Sequence, residues 1–241
     1  MAERWHDNRN AVLLATAGLL SLAIIVGGYL LGDGVRRARM ADRSVTVRGL
    51  AERDVTADLA TWTIAYAEQG TELAPVQAAV DGKSRTVREF FARVGFKPAE
   101  ISQAGTSVSQ FYDSNRSANQ VTVRQRLQLR TRDVAKARAA FARQFELIRG
   151  GVALEEGTAM VYSFTRLNEI KPAMIGAATR DARRGAEQFA RDSGAGVGGI
   201  KQATQGYFSI TARDGDESEG SGRDSPFQKV RVVTTIDFYL D

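Results

Sequence analysis

Four groups of residues in this 241-residue sequence have types and spacings that could do chemistry. Arg180, Arg183 and Arg184 fall on one expected helix, where guanidinium forks bind phosphate or an acidic partner, although a solvated helix face uses the same residues. Asp214, Asp216, Glu217 and Glu219 offer oxygen ligands to calcium, but the run lacks the spacing and terminal bidentate Glu of an EF-hand loop. Glu155 and Glu156 form a carboxylate pair in a Gly-flanked connection, a setting that leaves them in solvent. Gly194–Gly199 (GAGVGG) matches the dinucleotide fingerprint in form only, because it follows an expected helix and precedes a strand, so no helix N-terminus faces a phosphate.

Other chemistry is excluded by composition. The chain has no cysteine, which removes disulfides, thiolate catalysis and Cys-ligated metals. Its one histidine, His6, precedes a long apolar stretch, leaving the rest without an imidazole for base chemistry or zinc. No catalytic residue, cofactor site or metal site is therefore assigned, and the expectation is a protein that is not an enzyme.

The net charge of +5 is that of a weak nucleic-acid binder at most. Residues 1–43 hold six arginines against four acids, so little excess charge remains for the following 200 residues, and no nucleic-acid partner is expected.

Ala11–Leu31 runs 21 residues without a charge, long enough as a helix to cross about 30 Å of hydrocarbon. That is too long for the apolar core of a cleaved signal, and Ala38-Arg39-Met40 is a poor cleavage site. The reading is a short tail over 1–10, a transmembrane helix over 11–31 that partners a lipid bilayer, a linker over 32–43 and one domain over 44–241. Trp5 and Tyr29 sit where interfacial aromatics anchor a span. Arg36, Arg37, Arg39 and Arg43 outnumber Arg4 and Arg9, which by charge alone puts the domain in the cytoplasm.

The elements that must position these groups follow from periodicity. Residues 44–50 and 59–67 alternate as two strands of an antiparallel pair. Leu73, Val76, Val80, Val87, Phe90, Phe91 and Val94 mark a helix ended by Gly95. Residues 101–112 and 120–130 read as a hairpin, with Val121, Val123, Leu127 and Leu129 on one face. A second helix is expected over about 132–148 on Val134, Ala137, Phe141, Phe145 and Ile148. Met160, Tyr162 and Phe164 alternate in a strand, and an Ala-rich helix spans roughly 167–192. Strands at about 199–211 and 228–240 flank Arg213–Pro226, a Gly/Ser-rich polar stretch expected as a mobile loop. The fold class is α+β, a mixed or antiparallel sheet with helices packed on it.

Three stretches carry a resemblance. Val45-Thr46-Val47-Arg48-Gly49 with Asp58-Leu59-Ala60-Thr61-Trp62, the Ala-rich segment Ala177–Ala203 with its glycine turn, and Lys229–Leu240 together resemble the SIMPL-domain family of bacterial envelope proteins. Leu50-Ala51-Glu52 stands where the family has a more glycine-rich turn. The resemblance implies an α+β domain outside the cytoplasmic membrane and ring-like homo-oligomers. It brings no catalytic motif, and it opposes the charge count on sidedness. The combined expectation is a single-pass protein of a bacterial inner membrane with a periplasmic, self-associating, stress-related domain. The alternative is a carboxylate-dependent enzyme, or an ion- or anion-binding module of the envelope. No small-molecule ligand is identified.

Overall fold

The computed structural model describes residues 16–34, 43–114, 118–214 and 222–241. A helix α1 (Thr16–Gly34) has a mean hydropathy of 1.6 and buries none of its apolar surface, so it is long and apolar enough to cross a membrane. Residues 11–15 of the expected span and Trp5 lie outside the described residues, and the helix runs on into the expected linker. Tyr29 lies on α1 and is exposed.

Beyond it the fold is α+β with antiparallel pairing. The strands are β1 (Ser44–Thr56), β2 (Leu59–Gly70), β3 (Ile101–Asp113), β4 (Ala118–Thr131), β5 (Ala159–Ser163), β6 (Val197–Gln205), β7 (Ser209–Ala212) and β8 (Phe227–Leu240). The helices are α2 (Leu73–Val94), α3 (Val134–Ala142), α4 (Phe145–Arg149) and α5 (Leu167–Ser193). They form two sheets. One has the order β3-β4-β2-β5; the other has the order β1-β8-β6, with β7 also paired to β8. The expected β1–β2 hairpin is thus wrong. The two strands join different sheets, and between them the Ala57 amide donates to the Pro226 carbonyl at 2.8 Å rather than closing a turn.

The chain divides into two compact units. One comprises Met1–Leu50, Ala177–Gly206 and Val233–Asp241; the other comprises Ala51–Gly176 and Tyr207–Val232. In the second unit, β2 turns Ala60, Trp62, Ile64 and Tyr66 inward in strict alternation. β4 does the same with Val121, Val123, Leu127 and Leu129, and α2 lays Val76, Val80, Val87, Phe90 and Phe91 on them. Trp62 meets Phe90, Phe91 and Phe141 edge-on, at centroid separations of 6.1, 5.4 and 5.4 Å, a favoured aromatic geometry. Leu73 stays exposed, because helix α2 starts there ahead of the buried stripe. Gly95 ends the helix at a φ of 94°, a left-handed conformation that glycine adopts without a Cβ penalty.

The expected second helix is broken into α3 and α4. Arg143 bonds back to Ala140 and Gln144 to Phe141, tightening the chain there, and the apolar stripe shifts. Leu147 is buried while Phe145 and Ile148 face out. The strand expected over 199–211 is likewise broken, at 206–208, into β6 and β7.

In the first unit, α5 presents Ala178, Ala182, Ala186 and Ala190, all buried and four residues apart. Ala182 and Ala186 cluster with Val47, Ile236 and Phe238. Gly49 is where the backbones come closest: a Cβ there would stand 1.9 Å from the Ala178 carbonyl oxygen and 2.8 Å from the Ala182 Cβ. Only glycine fits.

The end of the polar stretch 213–226 is hydrogen-bonded to β5. Gly222 is buried at a φ of 60°, the Tyr162 amide donates to the Arg223 carbonyl at 2.7 Å, and Gln228 Nε2 donates to the Tyr162 carbonyl at 3.1 Å. Residues 215–221 lie outside the described residues.

Candidate interaction surfaces

The sheet β3-β4-β2-β5 leaves β3 at an edge. Every residue from Ser102 to Tyr112 on this strand is exposed, and Ile101–Tyr112 (ISQAGTSVSQFY) contains no charge and no proline. Natural edges are usually guarded by lysine, proline or a bulge, because their unpaired N–H and C=O groups template another strand. Here one bulge, between Gln103 and Gly105, interrupts the register, and nothing of the kind guards 106–112. Val108, Phe111 and Tyr112 add exposed apolar surface, at 52%, 55% and 63% exposure.

The opposite chemistry lies on the open face of the same sheet. Arg124, Arg126 and Arg130 alternate outward along β4, between the inward Val123, Leu127 and Leu129. Register places Ala67 and Ser107 beside Arg124, and Ala65 and Gly105 beside Arg126, so the arginines stand above small neighbours. Sequence reading followed only the apolar half of this alternation. The R-x-R spacing on the other half was the missed signal.

A cleft of about 500 Å³ opens at this row, lined by Ala65, Arg124, Gln125, Arg126, Glu155, Glu156 and Gly157. It contains the carboxylate pair, which the structure separates in role: Glu155 meets Arg124 Nε at 3.3 Å, while Glu156 is exposed.

The three arginines of α5 are brought together, beside a cleft of about 430 Å³ that also includes Ala177 and Glu187. Two of them are already engaged. Arg183 pairs with Glu187 at 3.4 Å and lies over the Phe238 ring, and Arg184 Nη2 donates to Asp181 at 2.9 Å. Asp181 also accepts the Leu50 amide at 3.0 Å, and these two bonds, the backbone one foremost, hold its carboxyl below the usual range. Arg180 is exposed and makes no ion pair among the described residues.

Asp214 is paired with Arg213 at 3.0 Å, and Asp216, Glu217 and Glu219 lie outside the described residues. Among the described residues no group of three or more His, Cys, Asp or Glu side chains is placed to hold a metal ion. The glycine run is a helix stop: α5 ends at Ser193, Gly194 takes a φ of 70°, and β6 begins at Val197.

Asp58, in the first of the resembling stretches, forms a hook. Its carboxylate accepts from the Thr165 amide at 2.7 Å, the Thr165 hydroxyl at 3.0 Å and Arg166 Nε at 3.1 Å, just ahead of α5.

No curated protein matches the chain. The model of one family, SIMPL, described as a protein of unknown function (DUF541), matches residues 45–238, a stretch that takes in all of one compact unit and part of the other. Its first strand, its Ala-rich helix and its last strand are the elements that Gly49, Ala182 and Phe238 join in one small core, and the chain belongs to the SIMPL family.

Proposed function

We propose that this protein is a membrane-tethered, non-enzymatic member of the SIMPL family that works by self-association in the bacterial cell envelope. The observation that carries the reading is the β3 edge, long, uncharged and exposed from Ser102 to Tyr112. Pairing of β3 with a second copy would satisfy its open backbone groups and set neighbours beside Val108 and Tyr112 on one face of the sheet and beside Phe111 on the other. Helix α1 holds copies at one membrane surface, which raises their effective concentration. The absence of cysteine and the placement of His6 before α1 support a non-enzymatic role. The periplasmic side, and a role under envelope stress, rest on the family resemblance.

The full chain in detergent, measured by light scattering during size exclusion, should run as a discrete assembly of several chains. Ser107→Lys with Ser109→Lys, two exposed positions, places guards on the edge and should return it to a monomer. A monomeric wild-type chain, or an assembly unmoved by both lysines, would overturn the proposal.

A further inference from the structure

The cleft beside β4 has a neutral lining and two walls of opposite charge. Ala65, Gln125 and Gly157 supply the neutral lining, Arg124 and Arg126 one wall, and Glu155 and Glu156 the other. The glutamate wall is fixed in place by its backbone. The Glu155 amide donates to the Ala65 carbonyl at 2.8 Å, the Ala65 amide donates to Thr158 Oγ1 at 3.0 Å, and the Thr158 amide donates back to the Glu155 carbonyl at 3.1 Å. This turn, with Gly157 at a φ of 95°, continues the edge that β5 presents to β2.

One pair across the cleft is closed, Arg124 with Glu155 at 3.3 Å. The other is open: Arg126 and Glu156 line the same space, and neither side chain has a hydrogen-bond or ion-pair partner among the described residues. A guanidinium binds a carboxylate through two parallel N–H donors, and a carboxylate receives an ammonium through charge-assisted hydrogen bonds. An anion alone would meet Glu155 and Glu156, and a cation alone would meet Arg124 and Arg126. A ligand with both charges opposes neither wall.

We infer that this cleft binds a small zwitterion of the amino-acid or short-peptide class, its carboxylate on Arg126 and its ammonium on Glu156. The inference rests on the lining of this cleft and not on an assembly through the β3 edge. Because both charges are exposed, recognition depends on the two ends acting together, and affinity is modest.

The test is calorimetric titration of the full chain in detergent with triglycine, and with triglycine acetylated at its amine, amidated at its carboxyl, or both. Triglycine should bind saturably with a Kd of about 1 mM or tighter, and each single block should weaken it at least tenfold. Arg126→Gln and Glu156→Gln, both surface changes that leave the thermal unfolding midpoint in place, should each do the same. The double exchange Arg126→Glu with Glu156→Arg should restore binding. No saturable heat with triglycine, equal binding of the doubly blocked peptide, or loss in only one of the two glutamine variants would overturn the inference.

Discussion

The two compact units cover their sheets by opposite means. Where Trp62, Phe90, Phe91, Phe96 and Phe141 meet, the space between α2 and its sheet is filled by rings. Where α5 lies on β1, it is filled by almost nothing, with alanines every fourth residue and a glycine at the closest approach. Interiors are close-packed in either case, so the same density is reached with a wide gap and large side chains or a narrow gap and small ones. The difference is in what each region tolerates: one is vulnerable to lost volume and the other to added volume.

Deleting a ring should therefore have the largest effect. Phe91 is fully buried, 5.4 Å from Trp62, 5.7 Å from Phe90 and 5.9 Å from Phe96 by ring centroid. Phe91→Ala is expected to cost about 3–5 kcal/mol in a urea titration. A loss below about 1 kcal/mol would mean that the aromatic cluster relaxes into the gap.

A single methyl in the other region should cost nearly as much. Gly49→Ala puts a Cβ 1.9 Å from the Ala178 oxygen, a contact that only backbone movement relieves. The expected loss is about 3 kcal/mol, at the upper end for overpacking. The same substitution at Gly82 on α2, where a Cβ meets nothing within 4 Å, should stabilise or leave stability unchanged. Equal effects at the two glycines would break the comparison.

Trp62 sharpens it from the aromatic side. Its indole Nε1 is buried with no hydrogen-bond partner among the described residues, an arrangement that offsets part of what the ring contributes. Trp62→Phe removes some volume together with the unpaired donor. The net cost should be about 1 kcal/mol, well below that of Phe91→Ala.

Much of this was legible in the sequence. Val76 to Phe91 at helical spacing, Val121 to Leu129 in alternation and Gly95 as a stop are local signals, and the elements follow them. The alanines of α5 announced close packing, but not that Gly49 would be the residue they close upon, because that approach joins positions over 120 residues apart. The sheet partners of β1 and β2 were missed for the same reason: alternation states which face is buried and is silent about the neighbour. Of the site residues, the α5 arginines share one helix, and the engagement of two of them by Asp181 and Glu187 depends on rotamers that spacing does not fix. The β4 arginines were hidden behind the apolar half of their own strand.

The smallest effect tests whether the ring-filled unit also relies on a polar hook. Burial alone would raise the Asp58 carboxyl pKa, but the Thr165 amide and hydroxyl and the Arg166 guanidinium outweigh it and hold the group below its usual value. A carboxylate with a folded pKa below its unfolded one contributes stability that is present above the unfolded value, about 3.9, and lost as the pH falls through the lower folded value. Asp58→Asn removes that contribution and leaves the acceptor half of one amide. At neutral pH the cost should be about 1 kcal/mol, comparable to losing a helix cap, since the hook lies at the entry to α5. Urea midpoints from pH 7 down to pH 2 should converge for the two proteins as acid protonates Asp58. Parallel curves throughout would show that the hook is held by Thr165 and its surroundings without help from the charge.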